Sequence, residues 1–188
     1  MNRRAFLKFG LCGSLAAAGG TGLLKIYKHA SGAKDIIAYP DPILRATAAP
    51  VEQIDAGVIS LAERLIATVR YYSVTGFFSK ALLGRGLSAP QLGVSKRVMV
   101  CGIQGRIHVL VNPQLVEQRG VYSGYESCLS LPDHGRRVVC RPGFIKLLYT
   151  DLDGYRIQLE TAGEYAAVLS HEIDHLNGIL YIDHPGYA

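Results

Sequence analysis

Hydrophobic positions change their period twice along this chain, and the changes divide it into elements. Between Val58 and Tyr72, apolar side chains fall at Val58, Leu61, Ala62, Leu65, Ile66, Val69 and Tyr72, the spacing of one helix face. That stripe predicts an amphipathic helix whose apolar side packs into a core. From Arg97 onward the period shortens. Arg97 to Ile103 and Arg106 to Val111 are apolar, β-branched runs separated by Gln104-Gly105, which reads as a hairpin. Asn112-Pro113 ends the second run, and Gln114 to Gln118 reads as a further strand. Phe144 to Thr150 and Tyr155 to Thr161 form another pair, joined by the turn residues Asp151-Leu152-Asp153-Gly154. Helical character then returns. Ala162 to Leu169 is Ala/Leu-rich, Thr161 with Glu164 reads as a capping box, and Gly178 stands where a helix C′ glycine would. Strands first and this helix last predict an α+β fold, with antiparallel β-sheets packed around the C-terminal helix.

Composition changes the picture chiefly at the N-terminus. The chain has 188 residues, 49% of them apolar, which suits one domain with its own core. Its formal charge of +5 is unevenly spread. Residues 1–34 hold Arg3, Arg4, Lys8, Lys25, Lys28 and Lys34 and no acid; removing those six from 20 leaves 14 basic against 15 acidic residues, a net of −1. The body from 35 to 188 therefore lacks the bulk positive charge that binding to nucleic acid draws on. Asn2-Arg3-Arg4-Ala5-Phe6-Leu7-Lys8 resembles a twin-arginine export signal, and residues 9–24 continue uncharged and rich in glycine and alanine. That run is short and weakly apolar for a membrane span, so no stable span is expected once residues 1–34 are removed. The expected location is the bacterial periplasm or its membrane face, or the cytoplasm if the segment is a plain extension. Of the four cysteines, Cys12 would leave with the signal. Cys101, Cys128 and Cys140 remain, which argues against a full disulfide framework but leaves a Cys101–Cys140 bridge open.

Candidate chemistry sits on the last helix, in Ser170-His171-Glu172-Ile173-Asp174-His175-Leu176-Asn177-Gly178. Histidines four apart share a helix face, so both imidazoles can reach one metal ion, with Glu172 near enough to move a proton on its water. A surface helix can carry such a pattern by chance, and the third ligand decides the kind of site. No glutamate follows His175, Tyr181 occupies the third-ligand position of the elongated HExxHxxGxxH form, and His184 comes three residues later. Upstream, Glu126-Ser127-Cys128-Leu129-Ser130 offers the soft Cys128 sulfur. One Cys and two His leave a fourth position open, the arrangement of a catalytic site. Gly84-Arg85-Gly86-Leu87-Ser88-Ala89-Pro90-Gln91 is glycine-rich without the strand–loop–helix context of a phosphate loop, and its glycines permit close backbone approach.

Taken together, Gly84 to Gln91, Glu126 to Ser130 and His171 to His175 resemble the three motifs of the peptide deformylase family, in its order and at about its spacing. The similarity runs from about Tyr39 to Asp183. Ser88, Ser127 and Ser170 depart from it, where the family usually has Ala, Gly and Gln. The resemblance implies a hydrolase that removes the formyl group from N-formylmethionyl peptides, on nascent or exported chains, and releases formate. In that scheme Cys128, His171 and His175 hold one divalent ion, Fe(II) by resemblance, with Zn(II) equally suited to the donors. Glu172 is the acid–base, and Gln91 and the Leu129 backbone N–H stabilise the formyl oxygen. The peptide lies as an added strand by Gly86, and Ala167 and Val168 stand near its methionine side chain. Asp174 and Arg141 are expected behind the metal-bound imidazoles. Two other classes compete: an inactive module that binds formyl peptide or metal, and an HExxH endopeptidase, which lacks a downstream ligand here.

Overall fold

The computed structural model describes residues 34–74 and 86–185. The signal-like segment up to residue 33, and Gly84 and Arg85 of the first motif, lie outside the described residues. The expected amphipathic helix forms as α1 (Ala56–Val74). Asp55 starts it, its Oδ1 accepting from the Val58 N–H at 2.8 Å. Five antiparallel strands follow in sheet order: β1 (Gly86–Ser88), β2 (Val98–Ile103), β3 (Arg106–Glu126), β4 (Arg137–Thr150) and β5 (Arg156–Ala162). Helix α2 (Glu164–Leu176) and a short 3-10 turn (Tyr181–Asp183) follow.

Strand β2 shows how the layers are built. All six of its residues are buried, because its two faces pack against different helices. Met99, Cys101 and Ile103 join Ala166, Leu169, Ile173 and Leu176 of α2 in one core cluster. Val98 and Val100 join Val58, Leu61, Leu65 and Val69 of α1 in another. A side-chain period of two thus turns one continuous apolar run into the middle layer of a helix–sheet–helix stack.

Several boundaries differ from the sequence reading. The Gln104-Gly105 hairpin forms, both residues taking positive φ (49° and 77°) as a primed two-residue turn requires. Asn112-Pro113 does not end a strand. It makes an irregularity inside β3, where Asn112 takes φ 51° and the register shifts between Val111 and Gln114. Asn112 is held there by both ends of its amide, which accepts from Val51 N at 2.8 Å and donates to Val51 O at 2.7 Å. Strand β3 then runs on to Glu126, paired with Arg137–Pro142 of β4, a ribbon the sequence pattern does not signal. Val121 and Tyr125 on it are exposed, so no buried face imposes alternation. The Thr161–Glu164 capping box is also absent. Thr161 pairs with Ile145 in the β4–β5 ladder, and Gly163, at φ 62°, is the N-cap of α2. Cys101 and Cys140 are both free, so the bridge left open by the sequence does not form.

The C-terminus of α2 is closed more firmly than its start. Gly178 N–H donates to His175 O at 3.3 Å and Ile179 N–H to Asp174 O at 2.9 Å, a Schellman arrangement that needs the left-handed φ of 73° at Gly178. Arg97 adds its guanidinium, donating to Leu176 O at 3.2 Å and Asn177 Oδ1 at 2.8 Å, a cation at the negative helix end. A Cβ on Gly178 would stand 2.4 Å from the Arg45 carbonyl oxygen, so space as well as φ demands glycine. Gly178→Ala should therefore combine left-handed strain of about 1–2 kcal/mol with overpacking of about 1–3 kcal/mol. Denaturant unfolding should show a loss of stability in that combined range; a variant as stable as the parent would contradict the packing described here.

Candidate metal centre

Helix geometry brings His171 and His175 to one face of α2, and the turn after β3 brings Cys128 to them. Cys128 Sγ lies 3.2 Å from His175 Nε2. One donor atom from each of Cys128, His171 and His175 falls within 4.8 Å of the other two, with Cys128 and His175 buried. His171 uses Nδ1 to hold Glu126 Oε2 at 2.8 Å, which leaves its Nε2 for the cluster. The donors fit a divalent ion of borderline softness. Burial also pulls His175 well below the usual histidine range, which keeps the neutral imidazole that a metal needs. Burial pulls His171 down as well, but its bonds to Cys128 and Glu126 outweigh this and raise it to about 10 without metal, so a cation has a proton to displace.

Glu172 stands beside this cluster with little water. It is 4% exposed, and its Oε2 is buried without a hydrogen-bond partner. Burial pushes its carboxyl up to about 7, the range in which a general base can both take and return a proton. Strand β1 passes close over it. A Cβ on Gly86 would lie 2.3 Å from Glu172 Cγ, so the glycine predicted for backbone approach to a ligand is first of all required by Glu172.

Gln91 lies on the short 3-10 turn after β1, 2% exposed. Its Nε2 donates toward Cys128 Sγ at 3.5 Å and Ser130 Oγ at 3.3 Å, and its Oε1 accepts from Ser88 N at 2.9 Å. Half-buried Leu129 follows Cys128 directly and meets Gly86 and Leu87 at a small apolar pocket that also borders α1. Ala167 is buried one turn before His171, while half-buried Val168 packs against the core cluster between α2 and the sheet.

The expected partners behind the imidazoles form a longer chain than the sequence suggested. Arg141, 4% exposed, donates to both Glu126 oxygens, Nε to Oε1 at 2.7 Å and Nη2 to Oε2 at 2.9 Å, and also to Asp174. Glu126, not Asp174, is the carboxylate on a ligand imidazole. Burial alone would raise Glu126, but hydrogen bonds from Arg141 and His171 outweigh it and bring its pKa to about 2. Sequence reasoning missed this role; the available signal was a carboxylate two residues before Cys128. His184, weighed as an alternative ligand, sits instead 2.6 Å from Asp174 Oδ2. His134 packs edge-on against the Tyr39 ring. Tyr181 stacks near His171, its ring 6.1 Å away, and donates its hydroxyl to Gly135 O at 2.6 Å, so it does not act as the third ligand of the elongated motif.

Comparison with known proteins gives a consistent result. The family model for polypeptide deformylase matches residues 33–186. A peptide deformylase of Mesorhizobium japonicum is 40% identical over 157 residues, covering 80% of this chain and 83% of its own. Among solved structures, the peptide deformylase of Thermus thermophilus superposes with TM-score 0.70 at 38% identity, covering 80% of this chain and 84% of that one. A Met-Ala-Ser-bound peptide deformylase from Acinetobacter baumannii superposes with TM-score 0.72 at 30% identity, covering 81% and 98%.

Glu126→Gln removes the charge that Arg141 and His171 share. Groups behind metal ligands are worth about 10–100-fold in affinity. Competitive chelation should find zinc held more weakly by about that factor in this variant; unchanged affinity would show that Glu126 does not tune the centre.

Proposed function

The chain belongs to the polypeptide deformylase family, and from that membership we propose that it hydrolyses the formyl amide of N-formylmethionyl peptides, releasing formate and a free N-terminus. The observation that carries this reading is the convergence of Cys128, His171 and His175 donors within 4.8 Å, beside a buried Glu172. Cys128, His171 and His175 would hold a divalent ion, which would supply the positive charge that acidifies water and polarises the formyl carbonyl. Iron(II) is the proposed ion, on the family resemblance; zinc(II) suits the same donors.

The chain's own groups account for the remaining steps. Glu172, with a carboxyl near neutrality, takes a proton from the attacking water and returns it to the departing amine. Gln91 Nε2 and the Leu129 backbone N–H stabilise the charge that develops on the formyl oxygen, each donor being worth roughly 10²–10³ in rate. Strand β1 pairs with β2 alone, so its other edge is free among the described strands to take the peptide as an added strand at Gly86. Ala167 and Val168, one turn before His171, are proposed to flank the methionine side chain. The methionine-first peptide bound by the Acinetobacter relative supports this substrate class.

Residues 1–34 are proposed as a separate export signal ahead of a single catalytic domain, on the support of Arg3-Arg4 followed by Phe6-Leu7-Lys8 and an uncharged run. The substrate would then be a formyl peptide met at the far side of the membrane. Fused to a folded reporter, these residues should give translocation that disappears with Arg3→Lys plus Arg4→Lys. A reporter that stays in the cytoplasm would reduce the segment to a plain extension.

Glu172 separates holding the ion from doing the chemistry. Glu172→Ala keeps all three donors, so its metal content should match the parent. Hydrolysis of formyl-Met-Ala-Ser should fall by roughly 10²–10⁴, the usual worth of a placed acid–base group. Parent-like rates at matched metal content would overturn the assignment, and loss of metal would make Glu172 a ligand.

A further inference from the structure

The Gln91 amide is bracketed on both sides by buried partners of opposite kind. Its oxygen accepts from Ser88 N at 2.9 Å and from Ser88 Oγ at 3.1 Å; its nitrogen faces Cys128 Sγ and Ser130 Oγ. Turned over, the amide would set its NH2 group against the Ser88 N–H, donor against donor, and its oxygen against sulfur. Ser88 is 0% exposed, so water cannot replace either of its bonds. Its backbone is fixed by the β1–β2 ladder, where Ser88 pairs with Met99.

We propose that Ser88 is a positioning residue, whose hydroxyl gives the Gln91 carbonyl a second donor and so aims Nε2 at the substrate oxygen. The inference rests on the reading of Gln91 as the donor to the formyl oxygen.

Kinetics of the full chain on formyl-Met-Ala-Ser, at matched metal content, test this with Ser88→Ala, Ser88→Cys, Gln91→Ala and the Ser88→Ala/Gln91→Ala double variant. Loss of one neutral hydrogen bond should lower kcat of Ser88→Ala about fivefold, with KM within about twofold of the parent because binding is untouched. Ser88→Cys, which keeps a weaker donor in place, should fall between. Gln91→Ala should lose roughly 10², and adding Ser88→Ala to it should cost nothing more, since the hydroxyl acts through the amide. Thermal unfolding should give equal midpoints for Ser88→Ala and the parent; if the midpoint drops, the intermediate rate of Ser88→Cys decides. Parent-like kcat in Ser88→Ala beside a slow Gln91→Ala overturns the positioning role and leaves the proposed function standing. Equal fold losses from Ser88→Ala in both backgrounds also overturn it. A parent-like Gln91→Ala removes the role of Gln91 and this inference together.

Discussion

The bidentate pair between Arg141 and Glu126 is the interaction on which the centre depends. It joins the end of β3 to β4, and through His171 and Asp174 it joins both strands to α2. A guanidinium as deeply buried as Arg141 is tolerated only when its donors are taken up, and here two carboxylates share them. Removing either partner leaves a charge stranded in a dry place. The pair therefore matters less as net stability than as a lock on geometry, since Glu126 can meet Arg141 with both oxygens and still hold His171 Nδ1 in only one arrangement. The orientation of His171 follows, and with it the face that Nε2 presents to Cys128.

The stack around β2 explains how such a centre stays dry. Its α2 face is filled by aliphatic side chains on one side of the helix, while His171 and His175 lie on the other side and Glu172 falls between the two. Helix α1 covers the opposite face of the sheet and approaches β1 at Val69 and Leu87. Glu172 is consequently enclosed by protein, and burial rather than any neighbouring acid is the largest cause of its raised pKa. Gly86 is the structural condition for this enclosure, because only a residue without Cβ lets β1 lie against the Glu172 side chain.

Behind the centre, the segment after α2 is strapped down by polar contacts as well as packing. Asp183 accepts from Arg45 and from Leu180 N, Arg137 donates to Ile182 O, and Tyr181 reaches Gly135 O. These bonds place Tyr181 beside His171 and His184 beside Asp174, so the segment backs the site without entering its donor set.

Local chemistry made much of this legible in the chain. The α1 stripe, the Gln104-Gly105 and Asp151-to-Gly154 turns and the Gly178 cap follow from period, φ preference and turn residues that act within a few positions. The two histidines and Glu172 were equally readable, since a helix fixes which side chains share a face. Tertiary structure decided the rest, because the deciding contacts join residues far apart in the chain. Glu126 meets Arg141 and His171 across 15 and 45 positions. Asn112 became a bulge because Val51 binds both ends of its amide, and Thr161 became a strand residue because Ile145 claims it in the ladder. Gly86 looked like room for a ligand, and only packing shows that Glu172 fills the space where its Cβ would be. A sequence states each residue's local preferences; which distant group then competes for the same bond or the same volume is settled only when the chain folds.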